Sequence, residues 1–281
     1  MQPRWRQAGL ILLSTVAVWL AVAAYFHLVP LLQIHYFVFV FAGLAAVCVV
    51  AYLASVTWIE RRRPSEFSPH GALSELCIGA LTGLALFAVV MAILWVAGVY
   101  RLDGWGAFNA AQFALMVGFW LLIALEEEIL WRGLAFRLCS KVVGTWGGLV
   151  LSAVLFSVKH FIDNPGASYG SFLGVLLAGI LLGAAYAATG RLWLPIGLHF
   201  GWNFAEGTLF GTQVSGMDLG FSVTKGKLIG PNILTGGQFG PEATIVAWIV
   251  IVAATCCFVW RASRSKNAEP PIWSGVGTAK I

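Results

Sequence analysis

The sequence predicts an all-α, polytopic membrane protein: a bundle of about eight transmembrane helices with both termini cytoplasmic. Three observations carry this. Of 281 residues, 59% are hydrophobic and only 10% charged, with a mean hydropathy of +0.86; a soluble domain carries about 25% charged residues. Apolar stretches of about 18–25 residues, long enough for ~30 Å of hydrocarbon, recur along the chain. The basic residues also distribute unevenly when the N-terminus is placed inside. Arg4, Arg6, Arg61 to Arg63, Arg132, Arg137, Lys141, Arg191, Arg261, Arg264, Lys266 and Lys280 then fall on the cytoplasmic side. Only Arg101, Lys225 and Lys227 fall outside, with Lys159 inside a span. Such a bias orients membrane helices.

The expected spans are 8–27, 36–59, 75–99, 108–139, 144–162, 171–189, 192–210 and 242–260. Residues 1–74 hold two N-terminal spans and a basic cytoplasmic loop around Arg61-Arg62-Arg63-Pro64. Residues 75–260 form the core, and 261–281 a polar, flexible cytoplasmic tail. The first span reads as an uncleaved anchor. A signal peptide ending near Ala21-Val22-Ala23 is the alternative, but the apolar run continues through Leu32. A net charge of +5 would suggest nucleic acid only if it clustered on a soluble face. It does not, so the expected partner is membrane lipid. The five cysteines, Cys48, Cys77, Cys139, Cys256 and Cys257, fall in or beside spans without disulfide or thiolate-metal spacing and read as packing residues.

Recurrent glycine pairs four residues apart, Gly79/Gly83, Gly144/Gly148, Gly170/Gly174, Gly179/Gly183 and Gly197/Gly201, make a tight bundle plausible. The longest loop, 211–241, is Gly-rich and ends in Thr235-Gly236-Gly237-Gln238-Phe239-Gly240-Pro241-Glu242. It reads equally well as a lid and as a passive surface loop.

One anomaly interrupts the fourth span: Glu126, Glu127 and Glu128 follow an uncharged run from Phe108. A charge at the centre of a membrane helix costs about 2.5–3.5 kcal/mol on insertion scales. Three in succession need a wet cavity or protein partners. Other polar groups lie within later spans: Lys159 and His160 in the fifth, His199 and Asn203 in the seventh. At ~1.5 Å per residue their depths overlap near the midplane, so three helices can bring them into one cavity. Glu128 and Arg132 are i, i+4 and can pair on one face. Glu127, rotated by about 100°, is not committed to that pair. Lys159 is expected to snorkel to the outer interface.

A carboxylate and an imidazole can together deprotonate water, and a second imidazole and an amide can donate to an oxyanion. This is a kit for hydrolysing an amide without a covalent intermediate. Glu127, His160 and His199 could instead hold zinc with an open position. No HExxH motif is present, and no Ser-His-Asp set accompanies Ser157. A non-catalytic membrane scaffold and a proton-coupled transporter are the alternatives from other classes.

Glu127-Glu128-Ile129-Leu130-Trp131-Arg132 resembles the EExxxR motif of the CAAX-processing and bacteriocin-processing (CPBP, or Abi) intramembrane proteases. Phe156 to His160 is similar to that family's FxxxH, and His199 to Asn203 to its HxxxN/D. The resemblance covers about residues 75–260. It implies that Glu127 and His160 activate water, that His199 and Asn203 stabilise the oxyanion, and that Glu128 with Arg132 supports the site. It implies a membrane-associated or lipidated peptide or protein substrate, and it leaves open whether zinc or only the glutamate does the chemistry. Some bacterial members are tied to bacteriocin processing or self-immunity, so an immunity protein that keeps the fold is a further reading. The compact loops point to a bacterial inner membrane. Glu126 departs from the family pattern and has no assigned role.

Overall fold

The computed structural model describes residues 4–28, 37–164, 166–265 and 267–271. It is a helical bundle, and its helices fall where the apolar stretches place them. They are α1 (Arg4–Leu28), α2 (Phe37–Ala54), α3 (Ala72–Val96), α4 (Ala110–Glu128), α5 (Arg137–Asp163), α6 (Tyr169–Thr189), α7 (Trp193–Asn203), the short α8 (Asn232–Thr235) and α9 (Ile245–Ser263). Five of these segments, in α1, α2, α3, α6 and α9, are long and apolar enough to cross a membrane by length and composition. The others differ for a reason in the sequence. Helix α4 carries the glutamates, α5 turns at Gly144 (φ 81°), and α7 has only 11 residues. Several apolar helices of this kind make an integral membrane protein.

Two helices change pitch at informative places. Directly after Glu128, α4 passes into a π-helical segment, Ile129–Phe136, and directly after Asn203, α7 passes into another, Phe204–Leu209. Single π turns inside helices concentrate at functional sites.

The glycine pairs explain how α7 reaches the centre. A Cβ on Gly79 or Gly83 would collide with the backbone carbonyls of Leu194 and Leu198, and one on Gly197 or Gly201 with those of Leu76 and Ala80. Helices α3 and α7 therefore pack backbone to backbone through the two matched pairs. The start of α7 is clamped by the 61–69 loop: Leu192 N donates to Glu66 O at 3.0 Å, and Trp193 Nε1 to Ser68 O at 2.8 Å.

One two-stranded sheet accompanies the helices. Strands β1 (Tyr100–Trp105) and β2 (Thr224–Leu228) pair antiparallel, with Tyr100 opposite Leu228 and Arg101 opposite Lys227, and a bulge between Leu102 and Gly104. The partners lie more than a hundred residues apart, so no local periodicity announces them. At the opposite end, basic residues assigned to one side of the membrane do gather together. Arg62 and Arg137 pair with Glu60 and Glu66, Arg191 with Glu75, and Lys141 and Arg4 with Glu269. The tail is docked there through Pro271, with Thr145 N donating to Glu269 O at 2.9 Å and Glu269 N to Thr145 Oγ1 at 2.7 Å. Lys266, Lys280 and the chain end lie outside the described residues, as does the continuation of the first apolar run to Leu32.

Candidate active site

Helices α4, α5 and α7 bring the predicted residues to one place. Glu127 Oε1 lies 3.7 Å from His160 Nε2, and Glu127 Oε2 lies 3.7 Å from His199 Nε2. Glu127, His160, His199 and Asn203 all line a small cavity of about 70 Å³, room for a few water molecules. The rest of its wall is largely apolar and includes Val175, Leu181 and Leu182 of α6 and Leu198 of α7. Helix α6 thus joins the three helices expected from the sequence.

The supporting pair is also in place. Arg132 Nη1 donates to Glu128 Oε1 at 2.7 Å, and Arg132 Nη2 to Gly179 O at 3.2 Å. The guanidinium lies over the Phe156 ring, 4.9 Å from its centroid. Glu128 does more than meet Arg132, because the same Oε1 lies 2.9 Å from His199 Nδ1. The first residue of the FxxxH pattern therefore packs on the arginine of the first motif, and the first and third motifs share a carboxylate oxygen. All three side chains, Glu128, Arg132 and His199, are buried.

The hydrogen bonds fix which ring nitrogen can do what. His160 Nδ1 lies 3.0 Å from Phe156 O. A carbonyl only accepts, so Nδ1 carries the proton and Nε2 is left as an acceptor facing Glu127. His199 Nδ1 faces a carboxylate and is likewise the donor. Its Nε2 can donate into the cavity when the ring carries both protons, with the Glu127 and Glu128 carboxylates on either side to offset the charge.

Other expectations resolve as follows. Ser157 Oγ is fully buried and donates to Phe172 O at 2.5 Å, which ties it to α6 rather than to a histidine. Lys159 pairs with Asp163 one turn on, at a solvent-facing or headgroup-facing edge. Glu126 makes no hydrogen bond or ion pair among the described residues. No group of three or more His, Cys, Asp or Glu side chains among the described residues is arranged to hold a metal ion. The two imidazoles face different oxygens of the Glu127 carboxylate, each at 3.7 Å. The Glu127, His160 and His199 set is not among such groups.

Two carboxylates escaped the sequence reading. Glu206, fully buried in the π-helical segment after α7, accepts from Trp202 Nε1 at 3.1 Å. Glu242, just before α9, lines the cavity itself. The signal that singled out Glu126 to Glu128, a charge within an apolar run, was present at Glu206 too.

A bundle of apolar helices encloses a small, largely apolar cavity in which one carboxylate faces two imidazoles. Residues 109–205 match the family model described as Rce1-like, the type II CAAX prenyl endopeptidases. The resemblance carried by the three motifs is thereby shown over the segment that holds them. At family level the match supports a CAAX-protease-like intramembrane endopeptidase. No curated protein and no solved structure matches the chain.

Proposed function

We propose that this chain is an eight-span intramembrane endopeptidase that hydrolyses a peptide bond with a water activated by Glu127 and His160. One observation carries the reading: a single carboxylate stands 3.7 Å from imidazoles of two other helices, on the wall of a small cavity with room for water. Polar atoms that far apart are not directly hydrogen-bonded, but one water at the apex reaches both. The water proton passes to Glu127 as the oxygen attacks the carbonyl carbon, with His160 Nε2 as the second acceptor. His199 Nε2 and the Asn203 amide donate to the oxyanion. The C–N bond then breaks, and the leaving amine takes the proton from Glu127. Glu128 and Arg132 hold His199 in orientation.

The basic end is assigned to the cytoplasm, and the membrane to a bacterial inner membrane. The substrate class is a membrane-associated or lipidated peptide. The test is cleavage of internally quenched peptides, prenylated and unprenylated, by the full chain in proteoliposomes, beside a comparison of membrane-proteome termini in cells. Glu127→Gln and His160→Ala are expected to abolish cleavage at normal expression. Unchanged turnover in both sinks the reading, and rescue of a cellular phenotype by Glu127→Ala favours a scaffold.

A further inference from the structure

The Gly-rich loop of residues 211–241, with the residue that follows it, delivers two polar groups to the cavity wall that the mechanism above does not use. Ser215 and Glu242 both line the cavity that holds Glu127, His160, His199 and Asn203. Glu242 Oε1 accepts twice from Ser215, from N at 2.6 Å and from Oγ at 2.8 Å. Ser215 adopts the left-handed conformation (φ 48°), uncommon for a residue with a side chain. It is kept there by Asn164 Nδ2, which donates to Ser215 O at 2.6 Å. Glu242 N donates to the buried Glu206 Oε1 at 3.3 Å. The carboxylate is thus fixed at one oxygen and at its backbone. Oε2 makes no hydrogen bond among the described residues and belongs to a side chain on the cavity wall.

A peptide that enters a largely apolar cavity leaves water, and each main-chain N–H then needs an acceptor. Glu127 and His160 are occupied by the attacking water, and His199 and Asn203 are donors in the reaction. Glu242 is the remaining carboxylate on the cavity wall.

We propose that Glu242, positioned by Ser215, anchors the substrate by accepting the main-chain N–H beside the scissile bond. This rests on the endopeptidase reading. It makes the loop a part of the substrate site instead of a passive surface or a simple cover.

Glu242→Gln is the informative variant. Its carbonyl oxygen can still accept from Ser215, while an NH₂ donor replaces Oε2. Two donors would then face each other, so KM for the quenched peptides is expected to rise about 10-fold or more with kcat little changed. Ser215→Ala, which frees one of the two bonds, is expected to give a smaller rise in KM and no change in the melting temperature large enough to explain it. KM unchanged in Glu242→Gln, or a fall in kcat alone, overturns the proposal. Retained turnover in Glu127→Gln strikes the endopeptidase mechanism instead, so the two failures are separable.

Discussion

His199 Nδ1 lies 2.9 Å from Glu128 Oε1, and that oxygen also accepts from Arg132 Nη1 at 2.7 Å. One buried carboxylate oxygen thus joins two helices and fixes the ring that faces the cavity. Breaking a buried ion pair by removing one partner costs about 3–5 kcal/mol, because the other charge stays behind unpaired. Glu128→Ala is expected to destabilise the protein on this scale, seen as a large drop in melting temperature in detergent. Glu128→Gln retains an acceptor and should lose less. A melting temperature for Glu128→Ala equal to wild type would show that the pair holds nothing.

On the proposed mechanism, His160 and Asn203 should both act on kcat. His160→Ala removes an acceptor for the water proton and is expected to lower kcat by about 10²-fold or more. Asn203→Ala would remove the proposed oxyanion donor, for which losses of about 10²–10³-fold are typical, with KM nearly constant. Single-turnover rates on the quenched peptides check both. If Asn203→Ala alters KM alone, the amide binds substrate and does not act on the oxyanion.

Much of this site was legible because an apolar span makes charge conspicuous. Glu127, Glu128, Arg132, His160, His199 and Asn203 stand out against their neighbours, and helical rise places them at similar depth. Glu242 did not stand out, because it sits in a polar loop where charge is ordinary. Its place on the cavity wall goes with the fold of residues 211–241, held by contacts such as Gly216 N to Phe239 O at 2.7 Å. The β1–β2 pairing and the π-helical segments were hidden for the same reason: tertiary contacts set them, and local pattern does not. The glycine pairs were visible, but their partners were not until Gly79/Gly83 met Gly197/Gly201.

That meeting gives a stability prediction. Gly201 faces the Ala80 carbonyl with no space for a side chain, so Gly201→Leu must push α7 from α3. Overpacking of this kind typically costs 1–3 kcal/mol, about that or more here because backbone cannot yield. Displacing α7 also moves His199 and Asn203, so activity should fall together with the melting temperature. Gly118, which has open space around it, is the control position: Gly118→Ala should melt as wild type does.

The basic end predicts a pH dependence. Burial alone pushes the Glu60 carboxyl up, but the Arg137 and Arg62 charges and hydrogen bonds outweigh it, leaving its pKa below the ordinary carboxylate value. A carboxylate depressed in the folded state adds stability above its unfolded pKa of about 4.3 and loses it as pH falls through the folded value. Melting temperature should therefore drop more steeply in wild type than in Glu60→Gln as pH is lowered from about 5 through the acid range. Parallel curves for the two proteins would remove Glu60 as the cause.

Chelation distinguishes the two chemistries that the motifs leave open. A hydrolytic zinc site needs its protein ligands to converge on one point at about 2.0–2.2 Å, with a position left for water. Here His160 Nε2 and His199 Nε2 face different oxygens of Glu127, and no group of three or more His, Cys, Asp or Glu side chains among the described residues is arranged to hold a metal ion. On the proposed mechanism Glu127, placed between two imidazoles, passes a proton and needs no cation. Cleavage by the full chain is therefore expected to survive prolonged treatment with a tight zinc chelator, while Glu127→Gln stays inactive with or without added zinc. Loss of activity on chelation, with recovery on returning zinc alone, would reverse this assignment and make Glu127 a ligand in place of a base.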